Sequence, residues 1–435
     1  MSEIPSNPFQ RNIPLFIAFR VLFNARFYYP VLGVLFLDLG LSLEQYSVLN
    51  AAWAATIIVF EIPSGALADV IGRRRMVMAA AVLMVVEISI FAFAPSGPLL
   101  FWFLLLNRVV SGVAEACASG ADEALAYDSL PPGNRETEWP TVLARLVRWS
   151  SASFFIAMIL GAAVFDAGVV NSACAMLGLP GGWSSAETVR WPIYLTLATA
   201  VLAACCAAGM REPTAHRSGN RYRIQDALGN IAKAAQFVFS SRRILLLLIA
   251  GVLFDSTIRL FLTFASNYYR LIELPAFANG LLGSVFAVLG FLAASLARRL
   301  ATKVAPVTVA CLLAGILLSG LIGLCAATPI WGAWVLIPLG LVMPMTQFFL
   351  SNYLNAWTSS DLRATVLSFR GMALNVGYGL AGIGFAFWTA SLRARSPGLD
   401  SDVLFGQTIN ILPIAFVCGA LALALYAWLT RPSRG

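Results

Sequence analysis

The stretch Gly65-Ala-Leu-Ala-Asp69-Val-Ile-Gly72-Arg73-Arg74-Arg75 stands between two apolar runs, each long enough to cross a bilayer. A polar connection this short makes the flanking helices antiparallel neighbours, so its reading decides the fold. Gly65 and Gly72 allow close backbone approach and a turn. Asp69 offers a carboxylate to helix-end amides, and Arg73 to Arg75 stay on the side of synthesis. An ordinary cytoplasmic loop obeying the positive-inside rule could hold the same residue types. The fixed spacing of Gly, Asp, Gly and Arg is more than that rule requires.

The rest of the chain has the same lipid-adapted character. Of 435 residues, 59% are hydrophobic and 11% charged, which is too much apolar surface for a soluble fold. The protein is therefore expected to be a polytopic occupant of the lipid bilayer. Apolar runs of roughly 20 residues or more centre on Phe16 to Leu37, Tyr46 to Leu67, Met76 to Ala94, Leu99 to Leu125, Val142 to Phe165 and Pro192 to Met210. After a polar interval come Ile244 to Leu271, Ala278 to Leu296, Val304 to Ala326, Trp331 to Trp357, Thr365 to Leu392 and Phe405 to Leu429. These are twelve spans in two sets of six. Three regions follow: 1–210, 211–243 and 244–435.

Loop charge gives the orientation. Arg11, Arg73 to Arg75, Arg135, the 211–243 interval, Arg298, Arg299, Lys303, Arg363, Arg431 and Arg434 fall on one side of alternating spans. Little beyond Arg190, Arg270, Arg393 and Arg395 lies opposite, so both termini are expected in the cytoplasm of a cell with a bacterial-type inner membrane. The polar start, Met1 to Pro14, lacks a cleavable signal pattern and reads as a cytoplasmic tail. In the central interval Ile224, Leu228, Ile231, Ala235 and Val238 recur at helical spacing, with Arg221, Arg223, Asp226 and Lys233 off that stripe. This pattern suits an interfacial helix better than a flexible linker.

Several function classes lose support. The net charge of +8 is spread over alternate loops, which is topology and not a nucleic-acid-binding face, so no nucleic-acid partner is expected. Most of the seven cysteines (Cys117, Cys174, Cys205, Cys206, Cys311, Cys325, Cys418) sit in apolar runs without metal-ligand spacing. The one histidine, His216, is in a polar loop, which disfavours metal catalysis and a histidine proton relay. Neither a metal nor a cofactor is expected. An intramembrane enzyme would need a His cluster, a Ser/His pair or facing aspartates, and the sequence argues against an enzyme. A monomer is expected.

The opening stretch resembles the signature G-x-L-x-D-x-x-G-R-[RK]-[RK] of the major facilitator superfamily, matched at Gly65, Leu67, Asp69, Gly72, Arg73 and Arg74. Glu61-Ile-Pro63-Ser before it and Arg108-x-x-x-Gly112 on the fourth span strengthen the likeness. Val21-Leu-Phe-Asn24 recurs as Val252-Leu-Phe-Asp255 where a duplicated six-helix unit would place it. The corresponding Ala297-Arg298-Arg299 of the second half lacks both the Asp and the glycines. The resemblance implies an all-α fold of twelve transmembrane helices in two six-helix bundles related by a pseudo-two-fold axis. It also implies that helices 1, 4, 7 and 10 line a central cavity. A cytoplasmic conformational latch is implied as well, built from Gly65, Asp69, Gly72, Arg73, Arg74 and Asp128. In it Asp69 faces the start of helix 11 near Asp361 and Arg363, and Arg73 pairs with Asp128.

Ionisable residues inside such helices cost several kcal/mol unless paired or hydrated, so each is a functional candidate. Arg108, Glu115 and Asp122 are seven apart, which keeps them within about 20° per step on one helical face. The first span carries Arg20, Asn24 and Arg26, the seventh Asp255 and Arg259, and the tenth Gln347, Asn352 and Asn355, with Pro338 and Pro344 as kinks. Internal ion pairing that fixes helix register is the alternative for the whole set, above all for Asp255 and Arg259 at i, i+4. Glu61, Glu87, Arg148 and Arg370 lie on helices that resemble the outer and interface helices, where a stabilising role suffices.

The expected function is secondary active transport of a small solute by alternating access. No G-x-x-x-x-G-K-[ST] occurs, which leaves an ion gradient as the energy source. Protons are the expected ion, with Glu115 or Asp122 as carrier and Asp255 next. Export by an antiporter is slightly preferred, although Ala157-Met-Ile-Leu-Gly161 has one glycine and no proline of the exporter motif. The alternative is proton-coupled import of an organic anion through Arg20, Arg26 and Arg108. A scaffold or receptor without transport is a further alternative, and it would not need the charges of the fourth span.

Overall fold

The computed structural model describes residues 9, 11–119, 121–131, 133, 135–213, 224–358 and 360–430, and all regular structure among them is helical. In chain order the helices are α1 (Asn12–Phe23), α2 (Leu32–Asp38), α3 (Leu43–Ile71), α4 (Arg73–Ala92), α5 (Leu100–Ala118), α6 (Ala121–Asp128), α7 (Arg135–Phe165), α8 (Ala167–Met176), α9 (Ser185–Thr188) and α10 (Trp191–Gly209). There follow α11 (Ile224–Ser240), α12 (Arg242–Thr263), α13 (Ala265–Leu271), α14 (Ala276–Lys303), α15 (Pro306–Ala326), α16 (Leu336–Trp357), α17 (Ser360–Arg395), α18 (Ser401–Ile409) and α19 (Ile411–Leu429). Eight stretches of the described residues are individually long and apolar enough to cross a membrane. The twelve spans expected from the sequence are each represented, four of them as two helices in series.

The interruptions have local causes. In the first span α1 stops at Phe23, and Asn24 closes it with backbone bonds to Arg20 and Leu22. Pro30, which has no N–H, then sits in a 3-10 turn before α2. The backbone freed by this break is satisfied by threonines of α10: Phe27 N–H donates to Thr196 Oγ1 at 3.0 Å, and Thr199 Oγ1 donates to the Ala25 carbonyl at 3.3 Å. The fourth span, expected to be one helix, breaks where Ser119 leaves helical geometry at ψ 114°. The seventh breaks at Phe264 between α12 and α13. In each case a few residues redirect an otherwise continuous apolar run.

The chain forms two compact units. Unit 1 comprises Met1–Val31 and Thr56–Ala227, and unit 2 comprises Leu32–Ala55 and Leu228–Gly435. In unit 1 the core is aromatic around α1 and α4, where Phe16, Phe19, Phe23 and Phe91 are buried. In unit 2 Val238, Ile244, Leu248, Leu350, Leu354, Val366 and Leu374 form an aliphatic core joining α11, α12, α16 and α17.

Unit 2 also holds α2 and the first half of α3. Val34 N–H donates to Ser266 Oγ at 3.1 Å and the Tyr46 hydroxyl to the Thr263 carbonyl at 2.9 Å. Arg270 reaches Asp38 at 2.6 Å and Asp402 at 3.0 Å, while Arg393 reaches Glu44 at 2.7 Å.

Candidate transport site

In unit 1 the break of the first span carries Arg26 into the protein, where it is 5% exposed. Its guanidinium pairs with Glu87 of α4, donates to the Tyr28 hydroxyl at 3.1 Å and stands 5.6 Å from the Phe23 ring centre. Asn107 completes the arrangement by donating to the Glu87 backbone carbonyl at 2.7 Å. Arg26, expected in the cavity, thus has a dedicated carboxylate on a helix that resembles an outer one. Nothing in the spacing of a lone Glu87 within Met84-Val-Val-Glu87-Ile reveals this partner.

Arg20 pairs with Asp122, Nε to Oδ2, at 2.9 Å, and approaches Glu123 at 3.7 Å. Asp122 is buried, and its other oxygen accepts from Glu123 N–H at 2.7 Å in the first turn of α6. The break at Ser119 therefore divides the expected charge face: Arg108 and Glu115 stay on α5, and Asp122 belongs to α6. Arg108 is buried. Glu115 is half-buried and makes no ion pair among the described residues. Asn24 is exposed and donates its amide to the Arg20 carbonyl at 2.9 Å, ending α1. Below this cluster α1 and α7 border a cavity of about 1050 Å³, lined by Ile17, Val21, Leu130, Glu138, Arg145 and Trp149 among others.

The signature stretch is more helical than the sequence suggests, because α3 continues to Ile71 and the turn is confined to Gly72. Gly65 lies inside α3, and no atom of the described residues stands within 4 Å of where its Cβ would be. Gly72 has φ 100° and ψ 144°, a conformation suited to glycine. The α4 N-terminus that follows is capped by Glu212, which accepts from the backbone N–H of Arg73 at 3.2 Å and of Arg74 at 2.8 Å. The Arg74 side chain donates to the Met210 carbonyl at 2.6 Å. Arg73 pairs with Asp128 and donates to the Ala124 carbonyl at 3.1 Å, and Arg135 lies 3.6 Å from the second Asp128 oxygen. The side chains of Asp69, Asp361 and Arg363 lie outside the described residues. Glu212 carries no motif that the sequence reading used, and its role follows only from the fold.

In unit 2 Asp255 and Arg259 of α12 pair at 2.5 Å. Gln347 of α16 donates to the other Asp255 oxygen at 2.7 Å. Arg259 also donates to Asn375 Oδ1 at 2.8 Å and stands 5.1 Å from the Tyr378 ring centre, both on α17. The Tyr378 hydroxyl shares a 2.8 Å hydrogen bond with Thr263. Asn352 is exposed, and no contact joins it to this cluster among the described residues. Asn375 and Tyr378 are contributions that the sequence reading missed, since neither is charged.

The sequence matches the family profile described as Major Facilitator Superfamily over residues 15–382. Among solved structures, a mutant of the nucleoside transporter NupG superposes with a TM-score of 0.70 at 13% identity, covering 96% of this chain and 99% of that one. A bacterial homologue of the human lysosomal transporter Spinster, in an inward-facing and unoccupied conformation, gives a TM-score of 0.69 at 14% identity, with 97% and 95% covered. A D-xylose-proton symporter gives 0.63 at 15% identity, with 94% and 97% covered. A search of curated proteins returns no match. At these identities the likeness to solved structures establishes the twelve-helix fold, and the match over most of the chain establishes the family: the chain belongs to the Major Facilitator Superfamily and is a multi-pass membrane transporter, not an enzyme.

Proposed function

We propose that the protein is a proton-coupled secondary transporter of a small solute, working as an antiporter that exports its substrate, and that Glu115 or Asp122 carries the coupling proton. The observation that carries the coupling is the contrast between these two carboxylates. Asp122 is buried against Arg20, while Glu115, one segment earlier in the same span, is half-buried and makes no ion pair among the described residues. A guanidinium favours the ionised carboxylate and burial disfavours it, so moving either group relative to the arginine changes its proton occupancy. The fold is shared with a D-xylose-proton symporter, which supports proton coupling on this scaffold.

The functional division is proposed at the 211–243 interval, between a 1–210 bundle and a 244–435 bundle. Alternating access then has two polar devices to act on. The latch formed by Gly72, Arg73, Arg74, Asp128 and Glu212 is one. The other is the set of contacts by which Asp38 and Glu44 meet Arg270 and Arg393, proposed to break in the alternate conformation.

Reconstitution into vesicles with an imposed proton gradient tests the coupling. The amide variant of the carrier, Glu115→Gln or Asp122→Asn, should lose gradient-driven accumulation and keep exchange of substrate down its own gradient. Accumulation by both variants at the wild-type rate would remove the two residues as carriers. Vesicles of defined orientation separate export from proton-coupled import.

A further inference from the structure

We infer that unit 2 contains a binding site for an anionic group, a carboxylate or phosphate of the transported solute, centred on Arg370 of α17. The inference rests on the transporter reading above and goes further by naming the chemistry of the substrate.

One carboxylate in this region faces two guanidiniums. Asp255 is already engaged: one oxygen is ion-paired with Arg259 at 2.5 Å and the other accepts from Gln347 at 2.7 Å. Arg259 has further partners in Asn375 and the Tyr378 ring. Arg370 is close enough to feel the charge of Asp255, yet its Nε and Nη1 are sealed from solvent and have no hydrogen-bond partner among the described residues. Those two donors point to different sides of the planar guanidinium, so they offer two separate, fixed hydrogen bonds to oxygens of an anionic group.

A neighbouring hydroxyl is in the same condition. Ser256, next to Asp255 on α12, has a buried Oγ without a partner. It is directed at α17, 2.8 Å from where a Cβ on Gly377 would stand. Gly377 is two helical turns from Arg370, so the two unsatisfied groups belong to the same α12–α17 seam.

Donors shut away from water without partners are costly, and donors of a charged guanidinium cost more than a hydroxyl. Arg259, Arg370 and Asp255 together carry one excess positive charge, so the missing partner that fits is an anion. Arg20 and Arg26 of unit 1 are each held by a carboxylate of the chain, whereas the two buried Arg370 donors have no hydrogen-bond partner among the described residues.

The test is binding and needs no proton gradient. Purified full-length protein in detergent is titrated with sodium succinate and, separately, sodium phosphate, at ionic strength held constant with sodium chloride, and the unfolding temperature is followed. At least one of the two anions should raise it by several degrees above the chloride control, and the identity of that anion distinguishes carboxylate from phosphate. Arg370→Gln should abolish the shift. Arg370→Lys keeps the charge but replaces the fixed planar donors by one ammonium, so it should weaken the apparent affinity about tenfold; it also serves if the glutamine variant does not fold. No shift with either anion, or an Arg370→Lys affinity equal to wild type, overturns the site. Such a result leaves proton coupling untouched, and failure of coupling at Glu115 and Asp122 leaves this binding result standing.

Discussion

In unit 1 Arg26 is answered by Glu87 and Arg20 by Asp122, whereas in unit 2 the single carboxylate of Asp255 faces both Arg259 and Arg370. The turns differ in the same sense. Between α3 and α4, Gly72 takes a positive φ and a carboxylate from Glu212 caps the next helix. Between α14 and α15, Val304 and Ala305 are simply extended, and Pro306 starts the next helix with no acidic cap among the described residues. Two units that the sequence relates through Val21-Leu-Phe-Asn24 and Val252-Leu-Phe-Asp255 have thus placed their polar groups differently. Unit 1 closes Arg20 and Arg26 on carboxylates and adds the polar turn at Gly72. Unit 2 keeps a plain turn, and around Asp255 two guanidiniums share one carboxylate.

The sharpest way to break this comparison is Glu87→Gln. It strands a guanidinium that is 5% exposed, and removal of one partner from a buried pair costs about 3–5 kcal/mol. The thermal midpoint of the purified protein should fall accordingly. The double change Arg26→Met with Glu87→Met removes both ions and should recover most of the loss. An unchanged midpoint in Glu87→Gln would show that water already shares the pair.

Asp255→Asn is the matching change in unit 2, and it should cost less, about 3 kcal/mol at most, the value of a hydrogen bond to a charged group. Arg259 retains Asn375 and Tyr378, and its side chain is 24% exposed, so hydration can support it. A loss equal to that of Glu87→Gln would erase the contrast between the units. If Asp255 competes with the solute for Arg370, the same variant should bind the anion that stabilises wild type at least as tightly.

The apolar runs made the twelve spans legible, because lipid imposes a length on each that soluble packing does not. The signature made Gly72, Arg73 and Asp128 legible, since that pairing depends on a short connection. What remained hidden was what depends on neighbours far along the chain. Glu87 looked like a stabilising residue on an outer helix until the break at Asn24 turned Arg26 towards it. The break at Ser119 was unreadable because an apolar run with small residues continues across it. Glu212 reaches the α4 N-terminus only because α10 ends beside it, a fact of tertiary structure. Arg370 was assigned to an interface helix, and nothing in its local sequence told that its donors would lack partners.

The two turns give the smallest effect. At Gly72 an alanine would have to adopt φ 100° and ψ 144°, which costs about 1–2 kcal/mol for a residue with a side chain. Its Cβ would also stand 3.2 Å from the Glu212 carboxylate, tight enough to push that cap from the amides of Arg73 and Arg74. Gly72→Ala should therefore lower stability slightly and weaken the latch together, seen as faster proteolysis or hydrogen exchange at the start of α4. Pro306→Ala at the unit 2 turn disturbs no cap and only restores freedom to the unfolded chain, about 0.4–1 kcal/mol. It should leave hydrogen exchange at the start of α15 and the transport rate near wild type. Equal effects on transport from the two substitutions would mean that the turns are equivalent and that the polar device at Gly72 has no special part in the conformational cycle.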